Sequence, residues 1–199
     1  MVRNAQETRG KLVRAAYEQI HANSFQGMRV DQVLKQTNLQ KGAFYHHFKS
    51  KTELGYAVVE EEIKELLDTV WIKPIKKMDN PLLEIPEMLA TLDKKIPKLM
   101  REHGCPLNNL AQEMSKLDDG FRQRIDNSFD LWITALSEKM EQAKNKGYVR
   151  REMDSNSIAR FIIAVIEGCI SIAKVEKTPE QFQACHSQIS LYLAGIKAS

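Results

Sequence analysis

The chain is poor in the residues that interrupt helices. Its 199 residues include six prolines and nine glycines, whereas turn-rich β architectures need many such residues to reverse the chain. Nearly every segment instead repeats its apolar residues with a period of about 3.6, and no segment sustains the alternation of a half-buried strand. The sequence therefore predicts an all-α protein.

Cysteines and long apolar runs are also scarce. The three cysteines lie far apart and are odd in number, and Met1 leads straight into charged residues rather than into a signal peptide. These features predict free thiols and a cytoplasmic location. The most apolar run, residues 158–173, contains Arg160 and Glu167. Because it is shorter than the roughly 20 residues that cross a membrane, we expect a buried helix there and no membrane partner.

Charge is unevenly distributed, although the net charge is only +3. Residues 1–52 hold nine Lys and Arg against three Asp and Glu, and the remainder holds 20 against 23. A basic N-terminal segment followed by a mildly acidic remainder is typical of a DNA-binding domain joined to a second domain. Charge alone leaves a merely solvated basic face equally open. The acidic remainder argues against a nucleoid-type protein that coats DNA without sequence preference.

Two short helices are predicted near the N-terminus, over residues 29–36 and 40–46. A connection of roughly 3–4 residues between such helices is typical of a helix-turn-helix, in which the second helix enters the major groove of DNA. Residues 42–51 then bunch three aromatic residues, two histidines and two lysines. This composition indicates a polyanionic partner, and double-stranded DNA is the one that the helix-turn-helix fits.

The rest of the chain also reads as helices. A helix over residues 51–73, capped by Ser50, should stop or kink at Pro74. Pro97 should bend a later helix over residues 82–102 or split off its final turn. A short helix over residues 107–116 follows the break at residues 104–106. Long helices are expected over residues 120–146, 155–175 and 179–196, with Asp154 as the cap of the second.

The N-terminal residues resemble those of the TetR/AcrR family of transcriptional regulators. The resemblance covers about residues 5–55 and is carried at fixed spacing by Thr8-Arg9, Ala15-Ala16, Phe25, residues 30–34, Leu39, Lys41-Gly42, residues 44–48, Lys51 and Leu54. It implies a three-helix DNA-binding domain in residues 1–50 and a helical effector-binding and dimerisation domain in residues 51–199. It also implies a homodimer that represses from a palindromic operator and is released by a small hydrophobic or reactive effector.

The resemblance also assigns DNA contacts, residue by residue. Phosphate contacts fall on Arg29, Tyr45 and Lys51. Base-edge contacts fall on Gln40, Lys41, Ala43, Phe44 and His46. The alternative for Phe44 is a place in the core, and His46 could simply be exposed. Met28 stands where the family often has a Thr or Ser cap, so the usual cap of the second helix is in doubt.

The last two helices carry more apolar residues than one helix face needs. The resemblance implies that they form a four-helix interface with a second copy, and the alternative is ordinary monomer core. The candidate interface residues are Ile158, Phe161, Ile162, Val165, Phe182, Ile189 and Tyr192.

An effector site is expected inside the helical domain, although residues of these types at helical spacing more often belong to the core. The candidates are Met100, Cys105, Asn108, Ala111, Phe129, Trp132 and Glu167. Cys105 precedes a short helix, which can activate a thiol, so it is also a candidate sensor of oxidants or electrophiles; an inert buried thiol is the alternative.

Enzymatic activity is not expected. The sequence has no nucleophile elbow, no phosphate-binding glycine loop and no zinc-protease motif, so we predict no catalytic residue, metal or cofactor. A ligand-binding protein without regulatory output remains a rival interpretation.

Overall fold

The computed structural model describes the backbone of residues 2–176 and 179–198, and the side chains of these residues except 2–4, 93, 176 and 179–185. Within these residues the protein is helical, with no strand and one isolated bridge between Val149 and Lys197, which confirms the all-α prediction. The α-helices are α1 (Val2–Gly27), α2 (Val30–Thr37), α3 (Lys41–His47), α4 (Lys51–Val58), α5 (Lys64–Leu67), α6 (Lys73–Lys77), α7 (Pro81–Ala90), α8 (Leu92–Lys95), α9 (Lys98–His103), α10 (Pro106–Met114), α11 (Asp119–Asn145), α12 (Ser155–Glu176) and α13 (Pro179–Gly195).

The chain folds into two compact units. The first comprises Met1–Leu66 and Pro106–Ser128, and the second comprises Leu67–Cys105 and Phe129–Ser199. The chain therefore passes from the second unit to the first at the start of α10, and back again within α11. These units are defined by packing, so the functional boundary at residue 50 stays a prediction.

In the first unit, α1 packs against α2, α3, α4 and α10. Gly55 of α4 permits one close approach, because a Cβ atom there would lie 2.6 Å from ring atoms of both Phe25 and Phe121. The rings of Phe25 and Phe121 themselves meet edge to face, with centroids 4.6 Å apart. An apolar centre thus joins the end of α1 to the start of α11.

The helix that follows Ser50 differs from expectation at Pro74. Residues 51–77 are helical throughout, because π-helical segments at Val59–Ile63 and Asp68–Ile72 join α4, α5 and α6. Pro74 lies in the first turn of α6, directly after the second π-helical segment. Proline has no N–H to donate, and the wider π turn before it accommodates that loss, so the helix does not stop there. Ser50 is the predicted cap, since its side chain accepts the N–H of Glu53 at 3.1 Å.

In the second unit, α12 packs against α13 and α9, and α13 packs against α7. Trp71 and Trp132 are both buried, with ring centroids 4.7 Å apart. Asp154 is the predicted cap of α12 and accepts the N–H of Ser157 at 2.7 Å. Pro97 splits α9 from the preceding helix, as expected.

The cysteines differ from one another. Cys105 is a free, buried thiol, whereas Cys169 is disulfide-bonded. The expectation of free thiols therefore holds for Cys105 and is wrong for Cys169. No helix in the described part of the chain is both long and apolar enough to span a membrane.

Candidate nucleic-acid interface

A tight turn joins α2 to α3. Asn38 adopts the left-handed conformation with φ 55°, which Asn tolerates better than most residues. The N–H of Leu39 then donates to the carbonyl of Leu34 at 3.0 Å, which closes the end of α2. At the start of α2, Arg29 occupies the cap position without a side-chain hydrogen bond and Met28 is buried. Arg29 is exposed, and its phosphate contact stays a prediction.

Two phenylalanines hold α3 against the core, Phe44 within the helix and Phe48 at its C-cap position. Phe44 and Phe48 expose only 1% and 2% of their surface, and their ring centroids lie 6.0 Å apart. The prediction that Phe44 contacts a base edge is therefore wrong, because its ring is held inside the protein. The alternative place in the core is correct for this residue.

The opposite face of α3 is polar and accessible. Tyr45 is 65% exposed, Ala43 is half-buried, and Gln40, Lys41 and His46 are exposed. These residues occupy the face that the sequence assigned to DNA. Their contacts with DNA stay predictions.

The charged side chains on this surface form only weak interactions within the protein. Lys41 pairs with Asp31 at 3.4 Å, but both side chains are more than two thirds exposed. Such an exposed pair contributes little to stability. Burial first, and then electrostatic interaction with His46 and Arg9, lower the pKa of His47. This shift disfavours a positive charge on His47.

The end of α1 is held in an unusual conformation just before α2 begins. Ser24 has φ 69° and ψ 166°, which interrupts the helix and is costly for a residue with a Cβ. The Glu113 carboxylate of α10 accepts the N–H of Phe25 through one oxygen and the N–H of Gln26 through the other, both at 2.8 Å. This carboxylate fixes the two peptide groups that follow the interruption.

Lys51 holds the same segment from the other side. Its ammonium donates to the carbonyl of Gln26 at 3.0 Å and lies 4.9 Å from the centre of the Phe25 ring. Burial lowers the pKa of Lys51, and Glu113 acts in the opposite direction. We call this set of contacts, made by Ser24, Phe25, Gln26, Lys51 and Glu113, the α1 clamp. Lys51 thus has a structural role, and its phosphate contact stays a prediction for its remaining donors.

The sequence did not identify Glu113. Its partners lie 88 and 87 residues away in the chain, and nothing in the local pattern of α10 marks it. The only sign of an unusual segment was Met28, which stands where the resemblance leads one to expect a Thr or Ser cap.

The predicted effector residues do not all lie in one unit. Met100, Cys105, Trp132 and Glu167 are buried in the second unit, and Phe129 there is half-buried. Asn108 and Ala111 lie on α10, in the first unit, and are half-buried. The Glu167 carboxylate and the Cys105 thiol are neighbours. The effector role of all seven residues stays a prediction.

The predicted interface residues divide into two groups. Ile158, Ile162 and Ile189 expose only 1–2% of their surface. They belong to the core of the single chain, so their assignment to the interface is wrong. Phe161 is 46% exposed, whereas Val165 and Tyr192 are half-buried, and these three stay candidates. The side chain of Phe182 lies outside the described residues.

Together, the all-helical fold and the α2–turn–α3 arrangement define a DNA-binding protein of the helix-turn-helix class. Two family models match the sequence. "Bacterial regulatory proteins, tetR family" matches residues 12–58, and "Tetracyclin repressor-like, C-terminal domain" matches residues 92–189. The chain belongs to the TetR family of DNA-binding transcriptional regulators, which is not a class of enzymes.

Characterised relatives and solved structures agree with this assignment. The chain is 27% identical to the transcriptional regulator AcuR of Cereibacter sphaeroides over 85% of its own length and 77% of that protein. It is 26% identical to the transcriptional repressor DhaR of Mycobacterium sp. strain GP1 over 78% and 77% of the two chains. A TetR regulator from Chloroflexus aurantiacus has the same fold, with a TM-score of 0.85 at 22% identity over 99% and 100% of the two chains.

The α1 clamp can be tested by removing its carboxylate. We expect Glu113→Ala to lower the free energy of unfolding by about 1–3 kcal/mol, because hydrogen bonds to a charged group are lost and the partly buried N–H of Phe25 has no acceptor. Urea denaturation measures this change. Gln112→Ala, an exposed neighbour on the same helix, is the matched control. Equal stability of the two variants would contradict the role assigned to Glu113.

Proposed function

We propose that this protein is a repressor that binds a palindromic operator as a homodimer and is released by a small hydrophobic or reactive effector. The observation that carries the proposal is the division of α3 into a buried aromatic face and an exposed polar face. Repression is favoured by the similarity to DhaR, which is named as a repressor. A regulator of this kind acts on the chromosome, so we infer a cytoplasmic location.

On the DNA, α3 lies in the major groove and presents Gln40, Lys41, Ala43, Tyr45 and His46. Gln and Lys can bond to base edges there, and the Tyr45 hydroxyl can reach a phosphate. Arg29, at the start of α2, contacts the backbone beside the groove. One α3 reads only a few base pairs, so a two-fold dimer that reads two half-sites supplies the specificity.

A seam of exposed apolar and small residues on α12 supports the dimer. These residues are separated alternately by four and three positions, which is the spacing of the contact stripe in paired helices. The seam consists of Phe161, Val165, Gly168, Ile172 and Val175. Ile172 is 51% exposed and Val175 is 76% exposed, and a Cβ atom at Gly168 would meet nothing within 4 Å. A partner helix can therefore approach closely at Gly168.

The seam continues onto α13. Leu191 is 65% exposed, and the ring of its neighbour Tyr192 lies 4.5 Å from that of Phe161. Apolar surface shared by two packed helices is typical of a protein interface rather than of solvated surface. In a two-fold dimer the same patch from each copy would form a four-helix contact.

The effector belongs in the buried interior of the second unit. Cys105 is the last residue of that unit before α10, and Glu113 of α10 holds the α1 clamp. Modification or displacement of Cys105 would therefore occur directly before α10, the helix that carries Glu113. A reactive effector would modify the Cys105 thiol, and a non-covalent effector would displace its neighbours.

Selection of bound duplexes from a random pool tests the proposed DNA binding. We expect two inverted copies of one short sequence, because a two-fold dimer presents two identical α3 helices. Sequencing of the retained pool gives the half-site and its spacing. Recovery of a random pool, or of a single uninverted site, would contradict the proposal.

The salt dependence of operator binding tests the role of Lys41. Each neutralised phosphate contributes about −0.9 to the slope of log affinity against log salt concentration. If Lys41 contacts a phosphate, Lys41→Gln in both subunits should make that slope shallower by about 1.8. Fluorescence anisotropy over a salt series measures it. Lys94→Gln, an exposed lysine of the second unit, should keep the wild-type slope; an unchanged slope in Lys41→Gln would exclude the contact.

A charge within the seam tests the dimer. We expect Ile172→Arg to sediment as a monomer at micromolar concentration. In the dimer, one arginine from each copy would be desolvated at the interface without a partner of opposite charge. Analytical ultracentrifugation measures the mass of wild type and variants. Leu117→Arg is the control, since Leu117 is a similarly exposed leucine of the first unit, 63% accessible. Dimers of both variants would refute the assigned interface.

A further inference from the structure

Glu167 is a carboxylate in an apolar interior. It lies on α12 and exposes 6% of its surface. On the same helix its neighbours Ile163, Ile166 and Ile170 are buried as well, and α9, whose Met100 is buried, packs against α12. A carboxylate in such surroundings is costly unless it is paired. The question is therefore what group pairs with it.

Within the described part of the chain, neither carboxylate oxygen of Glu167 has a well-formed hydrogen bond. The polar group that acts on it is the Cys105 thiol, and a thiol is a weak donor. Burial raises the pKa of Glu167 to about 7, and the thiol lowers it only in part. Among the described residues, this carboxylate is therefore solvated only weakly, by the Cys105 thiol.

We propose that Glu167 is the recognition group for the ammonium end of a small amphipathic amine, which is the effector class of this regulator. This inference rests on the proposed function, because it names the ligand of the same interior site. An ammonium group places N–H donors and a positive charge against the carboxylate, and such charge-assisted hydrogen bonds are about twice as strong as neutral ones. The isoleucines beside Glu167 suit the apolar part of the molecule.

The charge of the site distinguishes between ligands of equal shape. An alcohol offers one neutral hydrogen bond and no charge, so it binds Glu167 less well. A carboxylate ligand would bring a second negative charge into a medium of low dielectric constant, where repulsion is strong. The site therefore selects amines over alcohols, and alcohols over acids.

Calorimetric titration of the purified protein, without DNA, tests the proposal with hexylamine, hexanol and hexanoate. We expect hexylamine to bind wild type at least about 10-fold more tightly than hexanol, a difference that corresponds to about one charge-assisted bond. Hexanoate should bind most weakly. In Glu167→Gln the preference for the amine should disappear, and Cys105→Ala, which keeps the carboxylate, should retain it.

We expect Glu167→Gln to fold, because the amide removes a buried charge at nearly the same volume. A thermal melt checks that the variant is folded. Equal affinities of wild type for amine and alcohol, no measurable binding of the amine, or a preference that persists in Glu167→Gln would overturn the proposal. Operator binding is measured separately. A protein that binds its operator but has no preference for amines refutes this inference alone, and one that has the preference but binds no operator refutes the proposed function.

Discussion

The burial of Phe44 and Phe48 is the constraint on which the exposed polar face of α3 depends. A helix of seven residues such as α3 is not stable by itself, so packing must supply both its formation and its orientation. With these two rings fixed inside, the helix can rotate very little about its axis. Lys41, Tyr45 and His46 therefore face solvent as a consequence of the core. Recognition of DNA in this protein is in that sense a product of hydrophobic packing.

The α1 clamp extends the same control to the rest of the helix-turn-helix. Ser24 holds a strained conformation, and the N–H groups that follow it are accepted by Glu113 rather than by a helical carbonyl. Because α2 begins only a few residues later, the contacts of Glu113 and Lys51 with Phe25 and Gln26 also fix the point from which α2 starts. The start of α2 thus depends on polar contacts as well as on apolar packing.

The features that the sequence predicted correctly are those encoded by a local residue pattern. Helix periodicity, the caps Ser50 and Asp154, and the α2–turn–α3 arrangement are encoded within a few residues of one another. That the helix continues through Pro74 was not foreseen, because the π-helical segment before it has no recognisable sequence signature. The two faces of α12 were also confused, since apolar residues fill both: Ile158 and Ile162 face inward, whereas Phe161 faces outward. Periodicity cannot tell which apolar face meets the protein's own core. Glu113 was missed because its partners are distant in sequence.

Glu167 shows why the interior of the second unit is not an ordinary core. An apolar residue of similar volume at this position would cost nothing in desolvation, and replacement of buried charges by such residues is often neutral or stabilising. A carboxylate here therefore weakens the fold unless a partner compensates. Departures of this kind, where a residue breaks the local rule without a visible structural gain, are typical of binding sites. Glu167 lies beside Cys105, the last residue of the second unit before α10, so a ligand that pairs with this carboxylate, as proposed above, would also lie beside that thiol.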